Sequence, residues 1–190
     1  MKPMAPIPFK ADFTKPLDFL FHCHQKIAAN LEALRRATAD LHTAKKEDIA
    51  TVAETINGVL THLKSSGKKH TMDEEDSLFP RIREHKDGGT DEIFEVIGQL
   101  ELQHKRAASI EDSLTKMAVN LSIAEEIEND RIALFNDLSE SLYDLYRPHI
   151  QIENEFMFPA SAQILTPDEL AAAGREMFQR RQLKIEPVNK

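Results

Sequence analysis

Four stretches of this chain repeat apolar residues at steps of three and four, the period that places side chains on one face of a helix. Leu17, Leu20, Phe21, Ile27, Leu31 and Leu34 form the first stripe, and Ile49, Val52, Ile56, Val59 and Leu63 the second. Ile93, Ile97, Leu100, Ala107, Leu114 and Met117 form the third, and Leu134, Leu138, Leu142, Leu145, Ile152 and Phe156 the fourth. Each helix must bury its stripe, and four such helices joined by short links have one economical arrangement. The predicted fold class is all-α, an antiparallel four-helix bundle. Composition agrees: the chain has 6 Gly, no Trp and long runs of Ala, Leu, Glu and Lys, which lose little on entering a helix.

The bundle is predicted over 16–165 as one domain, a size that 190 residues can support with a real core. Pro3, Pro6 and Pro8 make residues 1–15 an extended N-terminal arm lying against it. Pro80 is expected to end or kink the second helix, and a turn is expected over 86–91. Thr166-Pro167-Asp168-Glu169 reads as a helix start, with a hydroxyl cap, proline in the first turn and a carboxylate three residues on. A short fifth helix over 167–182 and a tail therefore complete the segment 166–190.

Each stripe also carries one histidine in register: His24, His70, His104 and His149. The second and fourth stripes end in the same phrase. His70-Thr-Met-Asp-Glu74 and His149-Ile-Gln-Ile-Glu153 each read His-x-x-x-Glu, and Phe79-Pro80 and Phe158-Pro159 follow at the same distance. The upstream histidines precede them by similar intervals, 46 residues from His24 to His70 and 45 from His104 to His149. Residues four apart on a helix are neighbours on one face, so each His-Glu pair can grip one ion. Four imidazoles and two carboxylates suit a pair of transition-metal ions, with iron the expected metal and the glutamates bridging and cancelling charge. Two octahedral ions offer about twelve positions, and this set with one bridging oxo or hydroxo oxygen fills about ten. Manganese or zinc fits the same donors.

One histidine on an apolar face is commonly a hydrogen-bonded core residue. Four of them with two glutamates are different, because burying such a set without compensating charge is costly. His22, His42, His62 and His85 fall off the stripes or beyond a breaker. Asp73, Glu75 and Asp76 read as a solvated acidic face, although Glu75 takes the place of Glu74 if the helix is overwound. Cys23 reads as a packing residue, Met72 and Met157 as filler, and Arg180-Arg181 as a complement to the last helix dipole. Tyr146, one turn before His149, is the candidate to place a hydroxyl beside the ions or a ligand bound to them.

A net charge of −8 argues against a nucleic-acid surface. One cysteine forms no internal disulfide, and no apolar run suits a signal peptide or a membrane span. A cytoplasmic protein is the expectation, with its oligomeric state left open.

At the doubled His-x-x-x-Glu with its trailing Phe-Pro, the chain resembles the hemerythrin-like HHE cation-binding family. The resemblance implies a non-haem di-iron centre in a four-helix bundle, with His24, His70, Glu74, His104, His149 and Glu153 as ligands and both glutamates bridging. Oxygen-carrying hemerythrin has five histidines, whereas Leu100 and Ala108 stand one turn either side of His104 here. The four-histidine, two-glutamate set is more similar to di-iron proteins of nitrosative-stress response and iron-sulfur centre repair. Those proteins usually carry a further cysteine-bearing N-terminal domain, and the arm here has no cysteine. The expected function is to bind, sense or react with oxygen, nitric oxide or peroxide, with turnover and stoichiometric binding both open. Iron storage or sensing, or iron-sulfur centre repair, is the alternative.

Overall fold

The computed structural model describes residues 11–45, 48–85, 91–121 and 128–182. The turn expected over 86–91 lies almost wholly outside these residues, as does residues 1–10 of the expected arm. Among the described residues the chain is helical, without strands. Helix α1 spans Pro16–Asp40, opened by a proline at its first position, where the missing N–H costs nothing. Helix α2 is one run of segments, Ile49–His62, Leu63–Gly67, Lys68–Asp73, Glu74–Leu78 and Phe79–Glu84. Helix α3 spans Asp91–Leu121. Helix α4 joins Asn129–Ile152, Glu153–Met157 and Phe158–Ile164, and α5 is Pro167–Gln182. Helix α1 packs on α2 and α4, and α3 packs on the same two, which closes the four-helix bundle. The predicted fold is the observed one.

Pro80 does not end α2. The helix continues to Glu84 by widening into a π-turn over Glu74–Leu78, where the Phe79 N–H reaches back five residues to the Glu74 carbonyl. Proline has no N–H for the carbonyl four residues earlier, and its ring crowds that carbonyl, so the turn opens by one residue instead of breaking. The same device recurs in α4, where the Phe158 N–H bonds the Glu153 carbonyl just before Pro159. A π-turn that starts at each glutamate thus leads into each Phe-Pro pair, and a third, over Leu63–Gly67, forms without a proline.

Two apolar clusters fill the bundle. One is built on Leu31, Leu34, Ile56, Leu60, Leu114 and Phe135; the other holds Leu20, Leu78, Phe79, Ile97, Leu100 and Met157. On each of the four bundle helices the change from one cluster to the other falls at a candidate ligand: Leu20 and Ile27 flank His24, and Leu100 and Ala107 flank His104. The six polar residues thus form a layer between two greasy halves.

The stripes are locally out of register with expectation. Leu134 is 52% exposed and Phe21 43%, while Phe19, Ile132 and Phe135 take the buried places. Stripes drawn from hydrophobicity cannot separate adjacent apolar residues such as Leu20 and Phe21. Helix α5 closes the end of the second cluster, its start fixed by the predicted capping box. The Thr166 N–H and hydroxyl donate to Glu169 at 2.8 and 2.7 Å, and the Glu169 N–H returns to the Thr166 hydroxyl at 3.3 Å. His85, at the end of α2, reaches the same glutamate at 2.8 Å. Gly174 lets α5 lie against the chain before α1, since a Cβ there would meet the Phe13 carbonyl oxygen at 2.0 Å.

Candidate metal centre

All six predicted residues converge at the polar layer. His24, His70, Glu74, His104, His149 and Glu153 are each at most 6% exposed. They fall into two overlapping groups: His24, His70, Glu74 and Glu153, and His104, His149 and Glu153, with the donor atoms of each within 4.8 Å of one another. The i to i+4 spacing brings His70 Nε2 to 3.2 Å from Glu74 and His149 Nε2 to 3.1 Å from Glu153. Across the bundle, His24 Nε2 lies 3.0 Å from Glu153 and 3.7 Å from Glu74, and His104 Nε2 lies 3.5 Å from Glu74. Both carboxylates therefore face imidazoles from more than one helix.

The outward nitrogens set the tautomers. His24 Nδ1 meets the Asn154 amide oxygen at 2.7 Å, His149 Nδ1 the Gln103 amide oxygen at 2.8 Å, and His104 Nδ1 the Glu75 carboxylate at 2.9 Å. Each of these partners accepts, so each Nδ1 donates, and a ring that is neutral turns a bare Nε2 lone pair inward. His104 and His149 then point two lone pairs at each other across 3.1 Å. Apart from these close contacts with one another, His24 Nε2, both nitrogens of His70 and all four oxygens of Glu74 and Glu153 are buried without a hydrogen-bond partner. Buried polar atoms are nearly always paired, and a cluster of such donors is a set that could hold a metal ion.

Without a cation, the six groups compete unequally for protons. Burial opposes charge on His24, but Glu153 and Glu74 outweigh it and raise its pKa to about 10. Burial pushes Glu74 well above the carboxylate range, reinforced by the charge of Glu153. Burial also raises Glu153, yet the imidazoles of His149 and His24 overcome it and hold the carboxyl low. His70 is driven well below its ordinary value by burial and then by His24, and His104 is lowered by burial and His149. Protons shared so unequally among groups this close leave the layer a set of donors that could hold a metal ion.

Several neighbours differ from expectation. Glu75 does not replace Glu74; the helix turns Glu74 inward and leaves Glu75 behind His104. Asp73 is not on a solvated face. It is fully buried, paired with Arg180 and Arg181 of α5, and Arg180 also donates to Ser77 at 3.0 Å. Those arginines clamp the turn before Glu74 instead of serving the helix dipole, and Arg181 also stacks over Phe19 at 4.4 Å. Tyr146 sets its ring edge-on to His149 at 5.7 Å, but its hydroxyl donates to Glu111 at 3.3 Å. Glu111, 8% exposed, was missed as a buried acid; its signal is that 104, 107, 111 and 114 share one stripe. Cys23 is half-buried and Met157 wholly buried, as packing residues.

A helical bundle with a buried His/Glu layer between its two apolar halves is a cation-binding architecture. The model of the hemerythrin HHE cation binding domain matches residues 15–161, and the chain belongs to that family. Among curated proteins it is similar to the iron-sulfur cluster repair protein YtfE of Salmonella schwarzengrund (strain CVM19633), 31% identical over 100 residues. The match covers 53% of this chain and 44% of that protein. The YtfE proteins of Salmonella paratyphi B (strain ATCC BAA-1250 / SPB7) and Salmonella newport (strain SL254) match with the same identity and coverage. The aligned stretch is thus less than half the length of these relatives. No helix among the described residues is long and apolar enough to cross a membrane.

Proposed function

We propose that this chain holds two iron ions through His24, His70, Glu74, His104, His149 and Glu153, and that the pair binds, senses or reacts with oxygen, nitric oxide or peroxide. The observation that carries the reading is the set of seven buried donor atoms, from His24, His70, Glu74 and Glu153, that have no hydrogen-bond partner outside the layer. Iron there supplies redox chemistry and open positions for a small ligand. The chain's own part is to orient and exclude. Asn154, Gln103 and Glu75 fix three rings with their Nε2 atoms inward, and the π-turns aim the carboxylates. Leu78, Phe79, Leu100 and Phe158 keep bulk water away on one side. Leu100 and Ala108 stand one turn either side of His104, so the third helix brings no second histidine to the layer, and a coordination place would be left to solvent or ligand. Manganese and zinc remain competitors for the same donors.

The likeness to YtfE favours a second reading, that the centre serves iron-sulfur cluster repair. Iron-loaded protein exposed to each small ligand under anaerobic and aerobic conditions separates binding from turnover. Spectral change that saturates at one ligand per centre and reverses on removal marks a binder, while consumption of many equivalents marks an enzyme. Restoration of a damaged cluster protein's activity by the loaded chain marks repair. No spectral response to any of the three ligands would overturn the leading proposal.

A further inference from the structure

Four imidazoles reach the layer, and the groups behind them differ. Neutral amides stand behind His24 and His149, through Asn154 and Gln103. His70 Nδ1 has no hydrogen-bond partner. Only His104 is backed by a carboxylate, Glu75, at 2.9 Å. The two donor groups divide accordingly: His24 and His70 serve one position, His104 and His149 the other, and Glu153 belongs to both. The carboxylate-backed ring is on one side only.

A carboxylate that accepts a ring N–H makes the opposite nitrogen a stronger donor and draws the imidazole toward imidazolate character. A stronger, more negative donor favours the higher oxidation state of the ion it holds. Glu75 is 31% exposed, so water weakens this effect without removing it, and Arg83 is the cation in its field. Its place is also built. Glu75 is the residue after Glu74, at the head of the π-turn that precedes Pro80, so the turn that aims one carboxylate into the layer sets the next behind His104.

Resting on the di-iron reading above, we propose that Glu75 is a positioning residue that makes the two metal positions electronically unequal, so that the ion held by His104 and His149 is the first to become ferric. Asn154 is its neutral counterpart on the other side. The pair of iron ions therefore passes through a mixed-valence state in which the valences are assigned to fixed positions.

The test is a spectroelectrochemical titration of the iron-loaded full chain, with iron per chain and Mössbauer spectra on the same samples. Wild type is expected to show two separated one-electron steps. Glu75→Gln keeps an acceptor for His104 but removes its charge. It should cost the ferric state about tenfold in relative affinity and raise the lower midpoint by ~59 mV, with two irons still bound. Asn154→Asp, which puts a carboxylate behind His24, should lower the upper midpoint and narrow the gap from the other side. Unmoved midpoints in Glu75→Gln at two irons per chain overturn the proposal, as does equal loss of iron from both positions, which marks a structural role. Wild-type protein that holds no iron pair overturns the di-iron reading instead.

Discussion

Glu111 sits in the apolar half of the bundle around Leu114 and Phe135, and its carboxylate accepts a hydrogen bond from Tyr146 at 3.3 Å. Burial raises its pKa from 4.5 to about 7, more than the Tyr146 hydrogen bond and Lys64 lower it. The native state therefore holds this proton more tightly than the unfolded chain does. Its stabilising contribution is complete below the unfolded pKa of 4.5 and is lost as pH rises through about 7. At about 1.4 kcal/mol per pH unit, the loss amounts to roughly 3 kcal/mol by pH 8. Glu111→Gln keeps an acceptor for Tyr146 and removes the titration. Relative to wild type at matched metal content, it should be near neutral at pH 4.5 and gain steadily to roughly 3 kcal/mol at pH 8. With a slope of about 2 kcal/mol per molar urea, the unfolding midpoint moves by about 1.5 M. Urea titrations followed by circular dichroism at four pH values measure this. A difference between the two proteins that stays constant from pH 4.5 to 8 refutes the argument.

Asp73→Ala leaves Arg180 and Arg181 partly buried without their counter-charge and frees α5 from the turn before Glu74. It should destabilise the fold by about 3 kcal/mol in chemical denaturation, and a loss under 1 kcal/mol would show that the clamp is idle. Pro159→Ala restores an N–H to the helix and lets the π-turn over Glu153–Met157 close to α geometry, which rotates Glu153 away. Iron retained after gel filtration should fall by at least half, and full retention would mean that the proline does not set the carboxylate. Chelation should lower the thermal midpoint, because ions that bind only the native layer stabilise it by mass action; equal midpoints with and without chelator would contradict that coupling.

The layer was legible because its signal is periodic. Four histidines in register with apolar stripes, and two glutamates one turn beyond a histidine, need only the helix period to be brought together. The capping box at Thr166 was equally plain, since its hydrogen bonds are local. The residues that steer the layer were less so. Whether Glu74 or Glu75 turns inward depends on how the π-turn winds, which the stripe alone does not state. Asp73 looked solvated because its partners are more than a hundred residues away on α5. Glu111 shares the stripe of His104, yet a lone glutamate on a long charged helix reads as exposed until the packing of Tyr146 is known. The early register of α4 was misplaced because Leu134 and Phe135 are adjacent and only their neighbours decide which is buried.

On the proposed reading the buried donors of the polar layer hold metal, and iron per chain measures this. Elemental analysis of protein from iron-replete cells should give two irons per chain for wild type and a clear deficit for Glu74→Gln and Glu153→Gln. Wild-type protein without bound metal, or full occupancy in both variants, would contradict the claim and return His24, His70, His104 and His149 to the structural core.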